Sequence, residues 1–185
     1  MSGSLSRKGP PNVGGKVEKK MSLELVRVDV RLIHGQVICG WLPYVKGTCI
    51  VVVDDRVSQS KSVQALMRLG LPEEILFQVS SVSDIVSLLN RKEFKPEKIL
   101  LLFSNLRDLR SAIQAGLDVK MINIGITDHL PQGIDLTKTV SVTPEELEFL
   151  EQLANRGVDI DLRMVPMDHP LNFQRILARV KGANP

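Results

Sequence analysis

From Leu23 onward, short apolar runs alternate with stretches in which apolar residues recur every three or four positions. Runs of the first kind read as buried strands and stretches of the second kind as amphipathic helices. The pattern predicts a strand over Leu23–Val28, a helix over Gly35–Val45, a strand over Cys49–Val53 and a helix over Ser58–Leu69. A strand at Ile75–Val79, a helix at Val82–Leu89, a strand at Lys98–Phe103 and a helix at Leu106–Ala115 continue it. It closes with a strand at Met121–Ile124, a helix at Pro144–Ala154, a strand at Asp159–Met164 and a helix at Phe173–Val180. Regular alternation of this kind implies an α/β fold in three layers, α/β/α, with a mostly parallel open sheet and helices on both faces. The punctuation agrees. Gly70, Gly116 and Gly157 follow helices as C-terminal caps do, Pro72 and Pro96 precede strands, and Thr143 with Pro144 and Glu146 reads as a capping box. No internal repeat interrupts the series.

Two regions follow from this. Residues 1–20 are polar, rich in Gly and Pro and without periodicity, so they read as a disordered basic tail or a tag, with Met21 a plausible original start. Residues 21–185 form the single domain. The formal charge of +3 resides in the tail, which carries about +4, leaving the body near −1. The body is therefore not a nucleic-acid binder. A hydrophobic share of 43% with only 4% aromatic residues supplies an aliphatic core. No segment reaches the roughly 18 apolar residues of a membrane span, and no secretory signal is evident, so the chain is expected to be cytoplasmic.

Open α/β sheets place their ligands outside the carboxyl ends of the strands. At the end of the first strand the chain reads VRVDVRLIHGQVICGW, putting His34 where a strand gives way to a helix. Backbone N–H groups there lack intrahelical partners and the dipole favours anions. Arg31 brings a planar cationic fork near the imidazole, and Gly35 permits close backbone approach. These surroundings favour a neutral imidazole, which is a nucleophile with one free lone pair. Arg31 and the loop amides would then hold a phosphoryl group. Asp29 either accepts from the other ring nitrogen, fixing the tautomer, or orients Arg31. Alternatively, His34 is a hydrogen-bonded structural residue.

At the other strand ends, Asp54 either holds Arg31 or His34 or caps the next helix, and Asn105 either donates to phosphate or caps its own helix. His129 and His169, beside Asp128 and Asp168, lack the spacing of metal ligands, so no metal is expected. Without a G-x-G-x-x-G after the first strand or a Walker lysine, no nucleotide or other cofactor is expected. Cys39 and Cys49 suggest no disulfide. Trp41 reads as core or as a brace for the loop.

The segment RVDVRLIHGQV followed by Trp41 resembles the active-site loop of the IIB components of the mannose/fructose/sorbose class of the bacterial sugar phosphotransferase system (PTS). The resemblance runs from about Leu23 to the C-terminus and includes VVVDD, ILLLFSN, MINIG and LANRGVDIDLRMVP. It implies that His34 is the phosphorylated residue and Arg31 the arginine facing the phosphate. Arg27, Asp29, Gly35 and Gln36 are further motif positions. The chain departs from the family in having Val30 where a second aspartate is common, and Ile126 where a second glycine follows Gly125. The implied partners are a IIA phosphocarrier and the membrane IIC/IID permease, with peripheral association at the membrane and a monomer or homodimer. The implied activity is that of a phosphohistidine–sugar phosphotransferase component. Two other functions fit parts of the pattern: a regulatory phosphorylatable module of the same fold, and a hydrolase with His34 as general base, for which no paired nucleophile is evident.

Overall fold

The computed structural model describes residues 22–94 and 97–182. The tail, Met21 and Pro96 lie outside the described residues. Six strands, β1 (Ser22–Asp29), β2 (Cys49–Val53), β3 (Leu76–Ser80), β4 (Lys98–Phe103), β5 (Met121–Ile126) and β8 (Asp159–Asp161), form one sheet in the order β3-β2-β4-β1-β5-β8. Every pairing within it is parallel. Two short strands, β6 (Ile134–Asp135) and β7 (Ser141–Val142), pair antiparallel as a separate hairpin. The helices are α1 (Leu42–Tyr44), α2 (Asp55–Ser58), α3 (Lys61–Leu69), α4 (Ile85–Leu89), α5 (Leu106–Gln114), α6 (Pro144–Asn155) and α7 (Phe173–Val180).

Side chains alternate across the strands, so the sheet has two apolar faces. Leu25, Ile50, Val52, Leu100 and Leu102 pack under Val37, Trp41, Leu42 and Val57, on the side of α1–α3. Val26, Val28, Val51, Leu101, Phe103 and Ile124 pack under α4–α7 through Ile85, Leu109, Leu150 and Leu177. Burial on both faces explains why the strands read as unbroken apolar runs. It also makes the polar side chains Arg27, Asp29 and Asn123, all at 0% exposure near the carboxyl end, stand out against an aliphatic sheet.

Several boundaries differ from the sequence pattern, each for a local reason. The helix expected over Gly35–Val45 is a π-helical segment at Gln36–Trp41 that gives way to the single turn α1, the Leu42 amide reaching back to the Val37 carbonyl. Pro43, which has no N–H to donate, follows at once. The helix expected over Ser58–Leu69 is two, because Asp54 caps α2 and Ser60, in extended conformation, caps α3. The amide of Gln64 bridges the break by donating to the carbonyls of Val57 and Ser58, both at 2.9 Å. Helix α4 begins at Ile85, after the Ser81 hydroxyl has taken the amide of Asp84. The last strand stops at Asp161, whose carboxylate accepts the Arg163 amide at 2.9 Å and turns the chain. Gly116 and Gly157 follow their helices with φ of +106° and +87°, and the Thr143–Glu146 capping box is complete.

Candidate active site

The first strand ends at Asp29, and the chain then folds back over its own end. The Leu32 amide donates to the Asp29 carbonyl at 2.9 Å, and Leu32 takes a left-handed conformation with φ of 54°. Such a backbone is unfavourable for a branched side chain, and burial of Leu32 in the core is what holds it. The turn delivers His34 to a position above the Asp29 carboxylate. His34 Nε2–H donates to Asp29 Oδ2 at 2.9 Å, and the Gln36 amide points at Nδ1 from 3.3 Å. Because a carboxylate only accepts, the proton sits on Nε2, and the Nδ1 lone pair is the acceptor of the Gln36 N–H. The imidazole is 16% exposed, so it is seated yet reachable.

Asp29 itself is fully enclosed and heavily used. Its Oδ2 receives Arg27 Nη2 at 2.7 Å, and its Oδ1 receives the Arg31 amide at 3.1 Å and Arg31 Nε at 3.3 Å. Burial pushes the Asp29 carboxyl up, but the hydrogen bonds from Arg31 and His34 and the charge of Arg27 outweigh it and hold the group below its ordinary value. Burial pulls Arg27 down from the ordinary arginine value, with the charge of Asp29 opposing it. Arg31 lies further out, with its side chain 42% exposed and Nη2 donating to Gln36 Oε1 at 2.7 Å.

The Arg27 guanidinium has a second set of anchors. It donates to Asn123 Oδ1 and, at 3.2 Å, to the Met164 carbonyl, and it lies 5.3 Å from the centre of the Trp41 ring. It also occupies the space a side chain at residue 125 would need: a Cβ on Gly125 would fall 1.9 Å from Arg27 Nη2. The ladder between β1 and β5 slips at this point, Val28 facing Ile124 and Asp29 facing Ile126, so that Gly125 is bulged out of register. The Thr139 hydroxyl donates to the Gly125 carbonyl at 2.9 Å. Ile126, where the family often has a second glycine, is ordinary strand whose carbonyl receives the Val30 amide at 3.1 Å.

A buried Arg–Asp pair thus fixes the tautomer of a largely buried but reachable histidine, and comparison with known proteins shows where this chain belongs. The family model described as "PTS system sorbose subfamily IIB component" matches residues 23–184. The chain belongs to this family of phosphotransferase-system components. It is 31% identical over 160 residues to the "PTS system fructose-specific EIIB component" of Bacillus subtilis (strain 168), covering 86% of this chain and 98% of that protein. The crystal structure of the IIBSor domain of the sorbose permease from Klebsiella pneumoniae superimposes with a TM-score of 0.77 at 29% identity, covering 86% of this chain and 98% of that one. The "PTS system mannose-specific EIIAB component" of Escherichia coli (strain K12) is 26% identical over 160 residues, 86% of this chain and 50% of that protein. The three-layer α/β/α architecture is thus that of the IIB family.

Within this IIB fold, Arg27, Asp29, Arg31, His34 and Gln36 form one hydrogen-bonded group. Gly35 is exposed beside it, in an ordinary helical conformation with φ of −52° and no atom within 4 Å of where a Cβ would sit. Asp54 and Asn105 do not join the group. Asp54 Oδ1 accepts the amides of Arg56 and Val57 at 2.9 and 3.0 Å, its Oδ2 accepts the Ser104 hydroxyl, and Asn105 Oδ1 accepts the Asp108 amide at 2.8 Å. Both cap helices. Trp41 is core and brace together: it is buried, and its Nε1 donates to the Met164 carbonyl at 3.0 Å. Asn123, Arg163 and Met164 are site residues that the sequence pattern does not single out. Asp161 followed by Arg163, a charged pair where an apolar strand should end, was the available signal.

Proposed function

We propose that this IIB component is a phosphocarrier whose His34 accepts a phosphoryl group from the phosphohistidine of a IIA protein and passes it to a sugar hydroxyl presented by membrane IIC/IID subunits. The observation that carries the reading is the Nε2–H to Asp29 hydrogen bond, which leaves Nδ1 as the nucleophilic nitrogen. In the first step the Nδ1 lone pair attacks phosphorus in line, the N–P bond of the IIA phosphohistidine breaks, and the departing imidazole keeps the electron pair. In the second the sugar oxygen attacks phosphorus, its proton passes to solvent or to a base held by the permease, and the Nδ1–P bond breaks. His34 returns to its starting state.

The surrounding groups suit the role. Phosphoryl transfer asks mainly for positioning and for donors aimed at the equatorial oxygens. The Gln36 amide already points at Nδ1, and the Arg31 side chain, half exposed, 3.3 Å and more from Asp29 and otherwise held by the exposed Gln36 side chain at 2.7 Å, is placed to turn its fork toward a bound phosphoryl group. Gly35 has no conformational reason to be glycine, which leaves close approach of the donor and acceptor sites as the reason for its bare surface. The relative in which IIA and IIB share one chain supports a IIA donor. No helix among the described residues is long and apolar enough to cross a membrane.

The test uses label from phosphoenolpyruvate carried through the general PTS proteins and a IIA protein. The expected product is acid-labile, base-stable label on the wild-type chain, absent from His34→Ala and slowed in Arg31→Ala. Label that survives His34→Ala overturns the proposal. Sugar phosphate formed only when vesicles bearing IIC and IID are added separates a transport role from a regulatory one.

A further inference from the structure

The segment from Asp161 at the end of β8 to Asp168 lies against the site and touches the group around His34 through Met164, whose carbonyl accepts from Arg27 Nη2 at 3.2 Å and whose Sδ receives the Gln36 side-chain amide at 3.2 Å. One side chain spans it from end to end. Arg163 donates through Nε and Nη2 to both carboxylate oxygens of Asp161, at 2.8–3.1 Å, and through Nη1 to the Pro166 carbonyl at 2.9 Å. Its guanidinium therefore ties the two ends of a short turn together. The same guanidinium lies 5.6 Å from the centre of the Trp41 ring and 6.0 Å from that of Tyr44. The fork is 13% exposed, and its hydrogen bonds to Asp161 raise its proton affinity above that of an ordinary arginine.

What the turn presents inward is the Met164 carbonyl. That oxygen receives two donors, Trp41 Nε1 at 3.0 Å and Arg27 Nη2 at 3.2 Å. The neighbouring carbonyls of Asp161 and Arg163 receive the Asn123 amide at 3.3 and 2.9 Å, which orients Asn123 so that its Oδ1 faces Arg27 Nη1. Two of the three acceptors that hold the Arg27 guanidinium, Asn123 Oδ1 and Met164 O, are thus set by the turn, and the third is Asp29.

We propose that Arg163 is a positioning residue for phosphoryl transfer: by clamping the Asp161–Pro166 turn it fixes Arg27, hence Asp29, and hence which ring nitrogen of His34 is free. The proposal rests on the phosphocarrier reading for its functional consequence but not for its structural one. With the clamp gone, the Met164 carbonyl and Asn123 lose their fixed places, Arg27 keeps Asp29 as its firm anchor and shifts with it, and the Asp29 carboxylate, then steadied chiefly by Arg31, loses its fixed alignment with Nε2. His34 then samples both tautomers. A proton on Nδ1 occupies the lone pair that attacks phosphorus, so the transfer rate falls while the residues that touch phosphate are untouched.

The experiment compares wild type with Arg163→Met, which keeps an apolar stem beside Trp41, and with Trp41→Phe, which keeps a ring but removes the donor to Met164. Long-range 1H–15N spectra of histidine-labelled protein, with His34 assigned by its absence in His34→Ala, report the tautomer directly. Wild type is expected to show a single Nε2–H form, and both variants a mixture, with phosphorylation by phospho-IIA slowed about tenfold in Arg163→Met and less in Trp41→Phe. Arg163→Lys, which keeps the charge and one donor, should recover part of both readouts. Should Arg163→Met fail to fold, Trp41→Phe and Arg163→Lys carry the comparison. An unchanged single tautomer in the folded variants overturns the proposal, even if the rate falls. Failure of wild type to accept phosphate defeats the phosphocarrier reading instead, and a shifted tautomer in the variants would still uphold the positioning role.

Discussion

Gly125→Ala is the smallest change that probes how the site is built. A Cβ at that position would lie 1.9 Å from Arg27 Nη2, 2.3 Å from Cζ and 2.6 Å from Nη1. The guanidinium has nowhere to go, since Arg27 is at 0% exposure and is held by Asp29 at 2.7 Å, by Asn123 and by the Met164 carbonyl at 3.2 Å. Either β5 gives way, an overpacking strain of about 1–3 kcal/mol, or Arg27 leaves Asp29 and a buried pair is broken, at about 3–5 kcal/mol. A destabilisation of about 3 kcal/mol lies between the two, and at about 2–4 °C per kcal/mol for a chain of this size it lowers Tm by roughly 6–12 °C. Thermal unfolding followed by far-UV circular dichroism at neutral pH reads the stability, and the rate of phosphorylation by phospho-IIA reads the site. Gly116→Ala is the control: its φ of +106° with no neighbour within 4 Å isolates the conformational cost, about 1 kcal/mol, with the rate unchanged. If Gly125→Ala melts within a degree of the parent and takes up phosphate at the parental rate, Arg27 is not seated against Gly125 and the account of the buried relay fails.

Three further outcomes follow from the same geometry. Asp29→Asn leaves Arg27 without its buried counter-charge, so stability should fall by about 3 kcal/mol and label uptake by His34 should drop. Because the native Asp29 carboxyl is held below its ordinary value, the stability it adds is complete above that value and is lost as pH falls through the lower native one, so Asp29→Asn should flatten the acid limb of a stability-against-pH curve; an equally steep limb would contradict this. Gly35→Ala should leave Tm unchanged or raise it, since the conformation suits alanine and the space is open, yet slow phosphorylation by obstructing the partner; an unaltered rate would remove Gly35 from the docking face. Burial pushes the Cys49 thiol up to about 12, whereas Cys39 is exposed, so a thiol reagent at pH 8 should modify one cysteine in the native protein and two after denaturation.

The layered architecture was legible because both sheet faces are covered: VVV in β2 and ILLLF in β4 can hardly be anything but buried strands. The chemical group around His34 was legible because Asp29, Arg31, His34 and Gln36 fall within eight residues of sequence, so one turn suffices to bring them together. For Asp29 the sequence left two roles open, accepting from the imidazole or orienting Arg31, and the carboxylate, with two oxygens and several lone pairs, does both. What local sequence does not carry is the far side of the relay. Asn123 and Met164 meet Arg27 from 96 and 137 residues away, and only the placing of β1 next to β5, and of β5 next to β8, makes them neighbours. Gly125 shows the same limit, since its need to be glycine lies in a side chain on another strand rather than in its own backbone. At Asp54 and Asn105 the capping alternative holds, since their side-chain oxygens accept the orphan amides of the helices they precede.

The central claim is that Nε2 of His34 keeps its proton against Asp29 while Nδ1 takes the phosphoryl group. Phosphorylating 15N-histidine-labelled protein with phospho-IIA and reading the 15N–31P coupling identifies the bonded nitrogen. Phosphorus on Nδ1 of His34, with Nε2 still protonated, is the predicted result. Phosphorus on Nε2, or on any other residue, contradicts it.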